Sequence, residues 1–296
     1  MIYNAMAQNT RRSALFVFAM FVLLGLLGYA VGQFVDAGYW MSAAALVFAA
    51  FSSLMSYYYG DRLVLAMSRA RPAQRPEDAE IINAVEGLCI AAGMPAPKVY
   101  VIDDTAPNAF ATGRDPACAS IAVTTGLVQK MDRSELEGVI AHELSHIANR
   151  DTLYMTLVAI LAGAVILLAD WSRRWLWWGG GRRRSGRSSS GAGIIALVAI
   201  VLMILAPIFA TLIQLAISRQ REFLADARGA MLTRYPEGLA QALEKIAADP
   251  EPLEVANKAT AHMYIYNPLR DHGGWLNSLF STHPRIEERV SRLRSM

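Results

Sequence analysis

The sequence has 296 residues, of which 54% are hydrophobic and 18% are charged. Its mean hydropathy of +0.28 is too apolar for an ordinary soluble domain, so a membrane protein is the leading class. The 28 basic and 25 acidic residues nearly balance, so the charge gives no indication of nucleic-acid binding, and we expect no nucleic-acid partner.

The two cysteines, Cys89 and Cys118, have neither CxxC spacing nor a neighbouring histidine cluster. This arrangement argues against a disulfide framework and against a thiolate zinc site. We expect both thiols to be reduced and structural, which fits a globular part on the cytosolic side of a membrane.

Two N-terminal stretches, residues 14–32 and 41–59, contain no charged side chain. Each is about 19 residues long and, at ~1.5 Å per residue, is long enough to cross a hydrocarbon layer of ~30 Å. The first follows Arg11 and Arg12 as a signal peptide would, but it is longer than a typical signal core and a second apolar stretch follows at once. We therefore predict a retained transmembrane hairpin over residues 1–60.

The middle segment, residues 61–152, begins with a basic linker and then changes to patterns typical of folded elements. Ser134 and Glu137 have the spacing of a capping box, in which each side chain bonds the backbone amide of the other. A helix should begin there and continue to about residue 150. The earlier elements predicted in this segment are a helix over 77–92 and strands over 98–102 and 120–124.

The third segment, residues 153–217, contains two further apolar stretches joined by an Arg-rich loop. The fourth segment, residues 218–296, returns to amphipathic patterns, and residues 249–274 within it show no clear period. The predicted fold class is therefore mainly α with a small β-sheet (α+β). The predicted apolar stretches are 153–169 and 194–217, and the predicted helices of the last segment are 218–232, 236–248 and 284–293.

The helix predicted to follow Ser134 contains His142-Glu143-Leu144-Ser145-His146, which is the HExxH pattern. Residues four apart on a helix differ by about 400° and ~6 Å, so the two imidazoles lie on one face, as a tetrahedral metal requires. Glu143 is displaced from that face and is suited to act as a general base on a water at the metal. The pattern predicts one catalytic Zn²⁺ per chain.

A catalytic zinc usually has three protein ligands, so a third is expected besides His142 and His146. Glu222 is the best candidate, because it lies in a predicted helix with Asp226 four residues on and on the same face. Asp226 would then accept a hydrogen bond from a ligand histidine and fix its tautomer. From spacing alone, an ordinary pair of surface carboxylates is an equal alternative.

Four separated motifs carry a resemblance to a known family. They are the run from Glu137 through the HExxH pattern to Asn149 and Asp151, then Glu222-Phe223-Leu224-Ala225-Asp226, then Asn267-Pro268-Leu269, and last Ser281-Thr282-His283-Pro284. Together they resemble the HtpX and CAAX prenyl protease family of zinc metalloproteases, over nearly the whole chain. The resemblance implies a zincin-like protease domain joined to a four-helix transmembrane region, and it assigns the third zinc ligand to Glu222.

The same resemblance implies roles for four further residues. His283 and Arg289 match a family element that approaches the site and helps to bind substrate or to stabilise the oxyanion. Their alternative reading is a histidine at a helix entry and a solvated arginine. Residues 107–113 match the segment leading into the active-site edge strand, which can accept an extended peptide, so Asn108 and Ala109 are the predicted substrate contacts. A plain turn is the alternative there.

The arginines give a prediction of topology. Nine arginines lie near those ends of the apolar stretches that would be on the same side of the membrane as the metal motif. The positive-inside rule then places the termini and the active site in the cytosol. Six arginines between residues 173 and 187 oppose this orientation. A re-entrant hairpin over 153–217, with a cytosolic loop, is therefore kept as an alternative.

We predict a multi-pass zinc endopeptidase of the bacterial inner membrane that hydrolyses misfolded or unassembled membrane proteins at the cytosolic face. The expected partners are such membrane proteins, unfolded polypeptides and the lipid bilayer, and an oligomer is compatible with the sequence. One alternative is a processing protease for lipidated protein C-termini, which would need a larger enclosed chamber. The other is a non-catalytic membrane scaffold stabilised by zinc, in which Glu143 would have no purpose.

Overall fold

The computed structural model describes residues 2–34, 39–178, 201, 204–210, 221–254, 263–266 and 284–296. Over these ranges the chain is mainly helical with one four-stranded mixed sheet, which agrees with the predicted α+β class. The helices are α1 (Ile2–Phe34), α2 (Tyr39–Met67), α3 (Ala79–Ala92), α4 (Thr125–Lys130), α5 (Arg133–Ala148), α6 (Asp151–Trp178), α7 (221–233), α8 (Pro236–Ala248) and α9 (Ile286–Arg294). The strands are β1 (Arg71–Pro72), β2 (Lys98–Ile102), β3 (Ala109–Thr112) and β4 (Ser120–Thr124).

The chain divides into two compact units, each made of two separate segments. The first unit consists of Met1–Ser56 and Leu157–Gln214, and the second consists of Tyr57–Thr156 and Leu215–Met296. The second unit contains the sheet and the HExxH helix α5. The four-segment domain organisation stays a prediction.

The described part of the first unit is helical. Helices α1 and α2 approach closely at Gly28, where an added Cβ would lie 2.7 Å from the Cβ of Ala45. Within the described ranges, no single helix is both long and apolar enough to span a bilayer. The two parts of α2, Tyr39–Met55 and Tyr57–Met67, meet that test only together, across a bend of 72°. The predicted number of spans is therefore not confirmed.

The sheet of the second unit has the strand order β1-β2-β4-β3, so β3 lies at an edge. Strands β2 and β4 are parallel, and β3 is antiparallel to β4 with Ala109 opposite Val123. The bounds predicted for β2 and β4 are confirmed.

Both faces of the sheet are covered by apolar side chains, because successive residues of a strand point to opposite faces. Ala109 and Ala111 of β3 belong to the core formed with α3, α5 and α8. Phe110 points the other way, into a second core, and packs edge-on against Tyr264 with ring centroids 5.0 Å apart. The position of β3 is thus set from both sides.

Helix α5 begins two residues earlier than predicted. Asp132 is its N-cap and accepts the amide of Glu135 at 2.9 Å, while the Glu135 carboxylate accepts the amide of Asp132 at 2.8 Å. The prediction that Ser134 and Glu137 form the capping box was wrong, since the Ser134 hydroxyl donates to Asp132 instead. Lys245 of α8 donates to the buried Glu135 carboxylate at 2.6 Å and so stabilises the observed box.

Two glycines allow α5 and α8 to pack backbone against backbone. A Cβ on Gly138 would lie 2.7 Å from the Leu239 nitrogen, and one on Gly238 would lie 2.6 Å from the Ser134 oxygen. The bounds predicted for α8 are confirmed, whereas α9 begins at Ile286 rather than at residue 284.

Candidate metal centre

Three buried side chains from two helices converge in the second unit. His142 and His146 lie one turn apart on α5, and Glu222 lies on α7. The two Nε2 atoms are 3.1 Å apart, and the Glu222 carboxylate oxygens lie 3.6 Å from Nε2 of His142 and 3.5 Å from Nε2 of His146. Ligand atoms about 2.0–2.2 Å from a tetrahedral zinc would be about 3.3–3.6 Å apart. The donor set therefore fits zinc.

Gly229 brings α7 close enough to α5 for this convergence. It lies two turns after Glu222 on the same side of α7, and a Cβ there would be 3.1 Å from the backbone nitrogen of His142. That distance is tight for any side chain, so glycine keeps the two helices in register at the metal ligands.

The first ligand histidine is supported by a carboxylate and an arginine. Nδ1 of His142 lies 2.9 Å from the Asp226 carboxylate, as expected for a tautomer that leaves Nε2 available to a metal. Arg289 donates to both Asp226 oxygens, at 2.8 and 2.7 Å. Burial alone would raise the pKa of Asp226, but Arg289 and His142 outweigh it and lower the pKa below its ordinary value.

Arg289 is fully buried, so the alternative of a solvated arginine is wrong. Besides Asp226, its guanidinium donates to the backbone oxygen of Ile265 at 3.2 Å and lies 3.3 Å from the Glu222 carboxylate. These contacts place Arg289 against one metal ligand, the carboxylate that supports another, and one backbone carbonyl. They suit a group that positions the ligands, and the predicted oxyanion role is not tested by them.

The second ligand histidine has an analogous pair of neighbours. Nδ1 of His146 lies 3.2 Å from the carboxylate of Asp151, and Nε of Arg221 lies 3.4 Å from the same carboxylate. Burial lowers the pKa of His146, but its hydrogen bonds with Asp151 and Glu222 outweigh that effect and raise the pKa to about 10. Metal binding would therefore have to displace a proton.

Glu143 is buried on α5 beside the two ligand histidines. Burial raises the pKa of its carboxyl, while His142 and His146 act in the opposite direction. A carboxyl with a raised pKa, beside a candidate metal site and not among the converging ligand atoms, is suited to proton transfer.

The predicted substrate contacts lie on the edge strand and hold another part of the chain. The side-chain amide of Asn108 donates to the backbone oxygen of Tyr266 at 3.0 Å, and its oxygen accepts the amides of Ala109 and Tyr266. The carbonyl of Ala109 accepts the amide of Ile265 at 2.9 Å. Asn108 is therefore more than a plain turn residue. His283 and the motif Asn267-Pro268-Leu269 lie outside the described residues.

Sequence reasoning missed the support of His146. The motifs identify Asp151 only as part of a family pattern, and they predict no role for Arg221. The spacing of five residues between His146 and Asp151, and the position of Arg221 directly before Glu222, were the available signals. Residues 265–266 gave no comparable signal, because their contacts depend on the tertiary fold.

Residues 75–296 match the peptidase family M48. Proteins described as "Protease HtpX homolog" are similar to this chain from end to end. The one from Dictyoglomus thermophilum is 45% identical over 294 residues, covering 99% of this chain and 94% of the relative. The one from Thermoanaerobacter pseudethanolicus is 45% identical over 296 residues (100% and 98%), and the one from Pyrococcus furiosus is 46% identical over 288 residues (97% and 95%).

The fold is similar to a crystal structure of S. mikatae Ste24p, with a TM-score of 0.53. The similarity covers 97% of this chain and 66% of that one, so this chain spans slightly less than two thirds of the solved structure. At 19% sequence identity, the comparison speaks to the fold alone.

Proposed function

The chain belongs to peptidase family M48, and from this membership and the geometry of the metal centre we propose that it is a zinc endopeptidase of the gluzincin type. The observation that carries the proposal is the convergence of His142, His146 and Glu222 next to the buried Glu143. These residues provide three ligands and a separate base, which is the arrangement of a catalytic rather than a purely structural zinc site.

Each protein group has a distinct part in the proposed reaction. When bound, zinc polarises a carbonyl oxygen and lowers the pKa of water to about 7. Glu143 accepts the proton of the attacking water and delivers it to the leaving amine. Asp226 holds the proton on Nδ1 of His142, so that Nε2 stays available as a ligand. Arg289 keeps Asp226 ionised and in place.

We assign substrate binding to the outer edge of β3. Asn108 bonds β4 through its backbone oxygen, so by alternation the polar backbone groups of Ala109 and Ala111 face the outer side. Ala109 is engaged there by Ile265, which leaves Ala111 as our candidate for the direct contact with an extended peptide. Asn108 and Ala109, the predicted contacts, would support that strand through residues 265–266. Backbone pairing depends little on side-chain identity and so suits unfolded polypeptide substrates.

We place the enzyme in the bacterial inner membrane with its active site facing the cytosol. The apolar stretches support a bilayer location, as do large exposed apolar side chains of α2 in the first unit, including Val47, Phe48, Phe51 and Leu54. The arginine distribution supports the cytosolic orientation. Misfolded or unassembled membrane proteins are the proposed substrates, and His283 is retained as a candidate substrate-binding or oxyanion group.

The direct test compares the purified full chain with Glu143→Gln and with Glu137→Gln, a matched change on the partly exposed side of the same helix. Bound zinc and casein cleavage are measured for each. We expect Glu143→Gln to keep zinc and to lose at least about 10²-fold in cleavage rate, because an amide cannot accept the proton. Glu137→Gln should retain both properties. Zinc lost together with activity in Glu143→Gln would make Glu143 a ligand, and wild-type protein that binds zinc but does not cleave would support the scaffold alternative.

A further inference from the structure

The second ligand histidine, His146, is contacted by a carboxylate that an arginine holds in turn. These two residues, Asp151 and Arg221, are not the pair that supports His142. Asp151 is the first residue of α6, and Arg221 lies in α7 directly before the ligand Glu222. Both side chains are buried, as is His146. A buried carboxylate and a buried guanidinium are costly unless they are paired, so their position beside a metal ligand calls for a reason.

The connection between α5 and α6 sets the position of Asp151. Asn149 ends α5, and Arg150 follows in the left-handed region with a φ of 58°, which is uncommon for a residue other than glycine. The amide of Arg150 donates to the carbonyl of Ile147 at 3.0 Å, which tightens the turn. The left-handed residue separates α5 from α6 within two residues, and the Asp151 carboxylate lies beside Nδ1 of His146.

Arg221 holds Asp151 at two points. Its Nε faces the carboxylate at 3.4 Å, and its Nη1 donates to the backbone oxygen of Asp151 at 3.2 Å. The guanidinium also lies over the ring of Tyr154, 5.3 Å from its centroid. The planar guanidinium group can contact a carboxylate and a backbone carbonyl at the same time, which the ammonium group of a lysine cannot do as well.

We infer that Asp151 and Arg221 are positioning residues that hold the His146 imidazole with Nε2 directed at the metal. An ionised carboxylate can only accept a hydrogen bond, so Asp151 retains the proton on Nδ1 and leaves the Nε2 lone pair for the ion. The inference deepens the proposed function, on which it rests. His146–Asp151–Arg221 has the same chemical order as His142–Asp226–Arg289, with imidazole, carboxylate and guanidinium in turn.

The two sets differ in their additional contacts. Arg289 also lies 3.3 Å from the third ligand Glu222, whereas Arg221 contacts the backbone of Asp151 and the ring of Tyr154. A change at Arg289 is therefore expected to affect both His142 and Glu222, while the contacts of Arg221 with Asp151 connect it to His146. Asp151, which contacts His146 directly, is the main probe of how that ligand is positioned.

The experiment measures metal binding by the full-length protein, independently of proteolysis. Zinc affinity is determined by competition with a chelator, and the visible absorption of the Co²⁺-substituted protein reports the ligand geometry. We expect Asp151→Asn to weaken zinc binding by about 10- to 100-fold and to change the cobalt spectrum, as expected for loss of an outer-shell partner. Asp226→Asn is the matched variant on His142 and should behave alike. Arg221→Lys should weaken zinc binding less, by roughly 3- to 10-fold, because lysine keeps the positive charge but lacks the planar guanidinium group.

Leu243→Ala is the control for a general loss of stability. Leu243 is fully buried in the apolar core to which α5 and α8 contribute, so its truncation should lower the melting temperature and leave zinc affinity within about twofold. If Asp151→Asn does not fold, Arg221→Lys carries the test. Zinc affinity and a cobalt spectrum like those of the wild type in either folded variant would overturn the inference. A protein that binds zinc in this way but cleaves no peptide would instead contradict the proposed function.

Discussion

The backbone amide of Ile265 donates to the carbonyl of Ala109 across 2.9 Å, so residues 263–266 lie against the outer edge of β3. The carbonyl of Ile265 in turn accepts from Arg289, which contacts Asp226 and Glu222. The edge strand and the metal ligands are therefore connected through one short segment. A substitution that displaces residues 263–266 should therefore affect both the position of β3 and the support of the metal ligands.

Asn108→Ala tests how strongly that segment is held. The substitution removes the partner of the Tyr266 carbonyl and of the Ala109 amide, in a side chain that is buried. Leaving such groups unsatisfied costs about 1–3 kcal/mol, so we expect a lower free energy of unfolding by that amount in urea titration. An increase in KM with unchanged unfolding would show that Asn108 contacts the substrate directly and does not support the fold.

Glu222→Ala should remove one of three zinc ligands. We expect substoichiometric zinc after purification and a corresponding loss of casein cleavage, measured by elemental analysis and by a protease assay. Glu244→Ala, which removes a surface carboxylate paired with Arg294, is the control and should leave the zinc content unchanged. Full zinc occupancy in Glu222→Ala would require another third ligand.

Arg289→Ala should be more damaging than Arg289→Lys. The alanine variant leaves the buried Asp226 carboxylate without its cation, which costs about 3–5 kcal/mol of stability. Lysine restores a charge but cannot also reach the Ile265 carbonyl in the same geometry, so we expect intermediate stability and zinc affinity. Thermal unfolding and chelator competition provide the measurements. Near-normal values for both variants would reduce Arg289 to a dispensable helix residue.

The start of α5 gives a matched pair of variants. Asp132→Ala removes the side chain that accepts the Glu135 amide and should cost about 0.5–2 kcal/mol, whereas Ser134→Ala should cost distinctly less. Both are measured as changes in the free energy of unfolding. A larger loss of stability in Ser134→Ala than in Asp132→Ala would show that Ser134 is the N-cap that matters for the helix.

The two cysteines give a test of orientation with the natural sequence. Cys118 is exposed, whereas Cys89 is buried and burial raises the pKa of its thiol to about 11. At pH 8 roughly one Cys89 thiol in a thousand would be ionised, so a maleimide should label Cys118 alone in the folded protein and both residues in denaturant. In intact cells an impermeant maleimide should not label Cys118 until the membrane is permeabilised. Labelling before that step would contradict the cytosolic orientation.

Local residues explain which elements could be predicted from the sequence. Turn residues lie on both sides of β2 and before β4, and Pro236 occupies the first turn of α8, so these bounds follow from short-range chemistry. The start of α5 could not be predicted in this way, because Asp132 with Glu135 and Ser134 with Glu137 both fit a capping pattern. The observed choice is supported by Lys245, which lies 110 residues away in sequence.

The candidate site shows the same limit. Helical periodicity is sufficient to bring His142 and His146 to one face and to pair Glu222 with Asp226. It cannot predict which of the two histidines Asp226 faces, or that Arg221 contacts Asp151, 70 residues earlier in the chain. Those contacts depend on the close approach at Gly229 and on the left-handed turn at Arg150, which are properties of the packed chain.

The metal centre is assembled from residues that are made at different times during synthesis. His142 and Arg289 are 147 residues apart, which corresponds to roughly 7–30 s of translation at 5–20 residues per second. Until Glu222 is added, 80 residues after His142, the nascent chain has two of the three ligands, and the residues that support His142, Asp226 and Arg289, are added later still. A metal centre built in this order can be complete only after α7 and α9 have been synthesised.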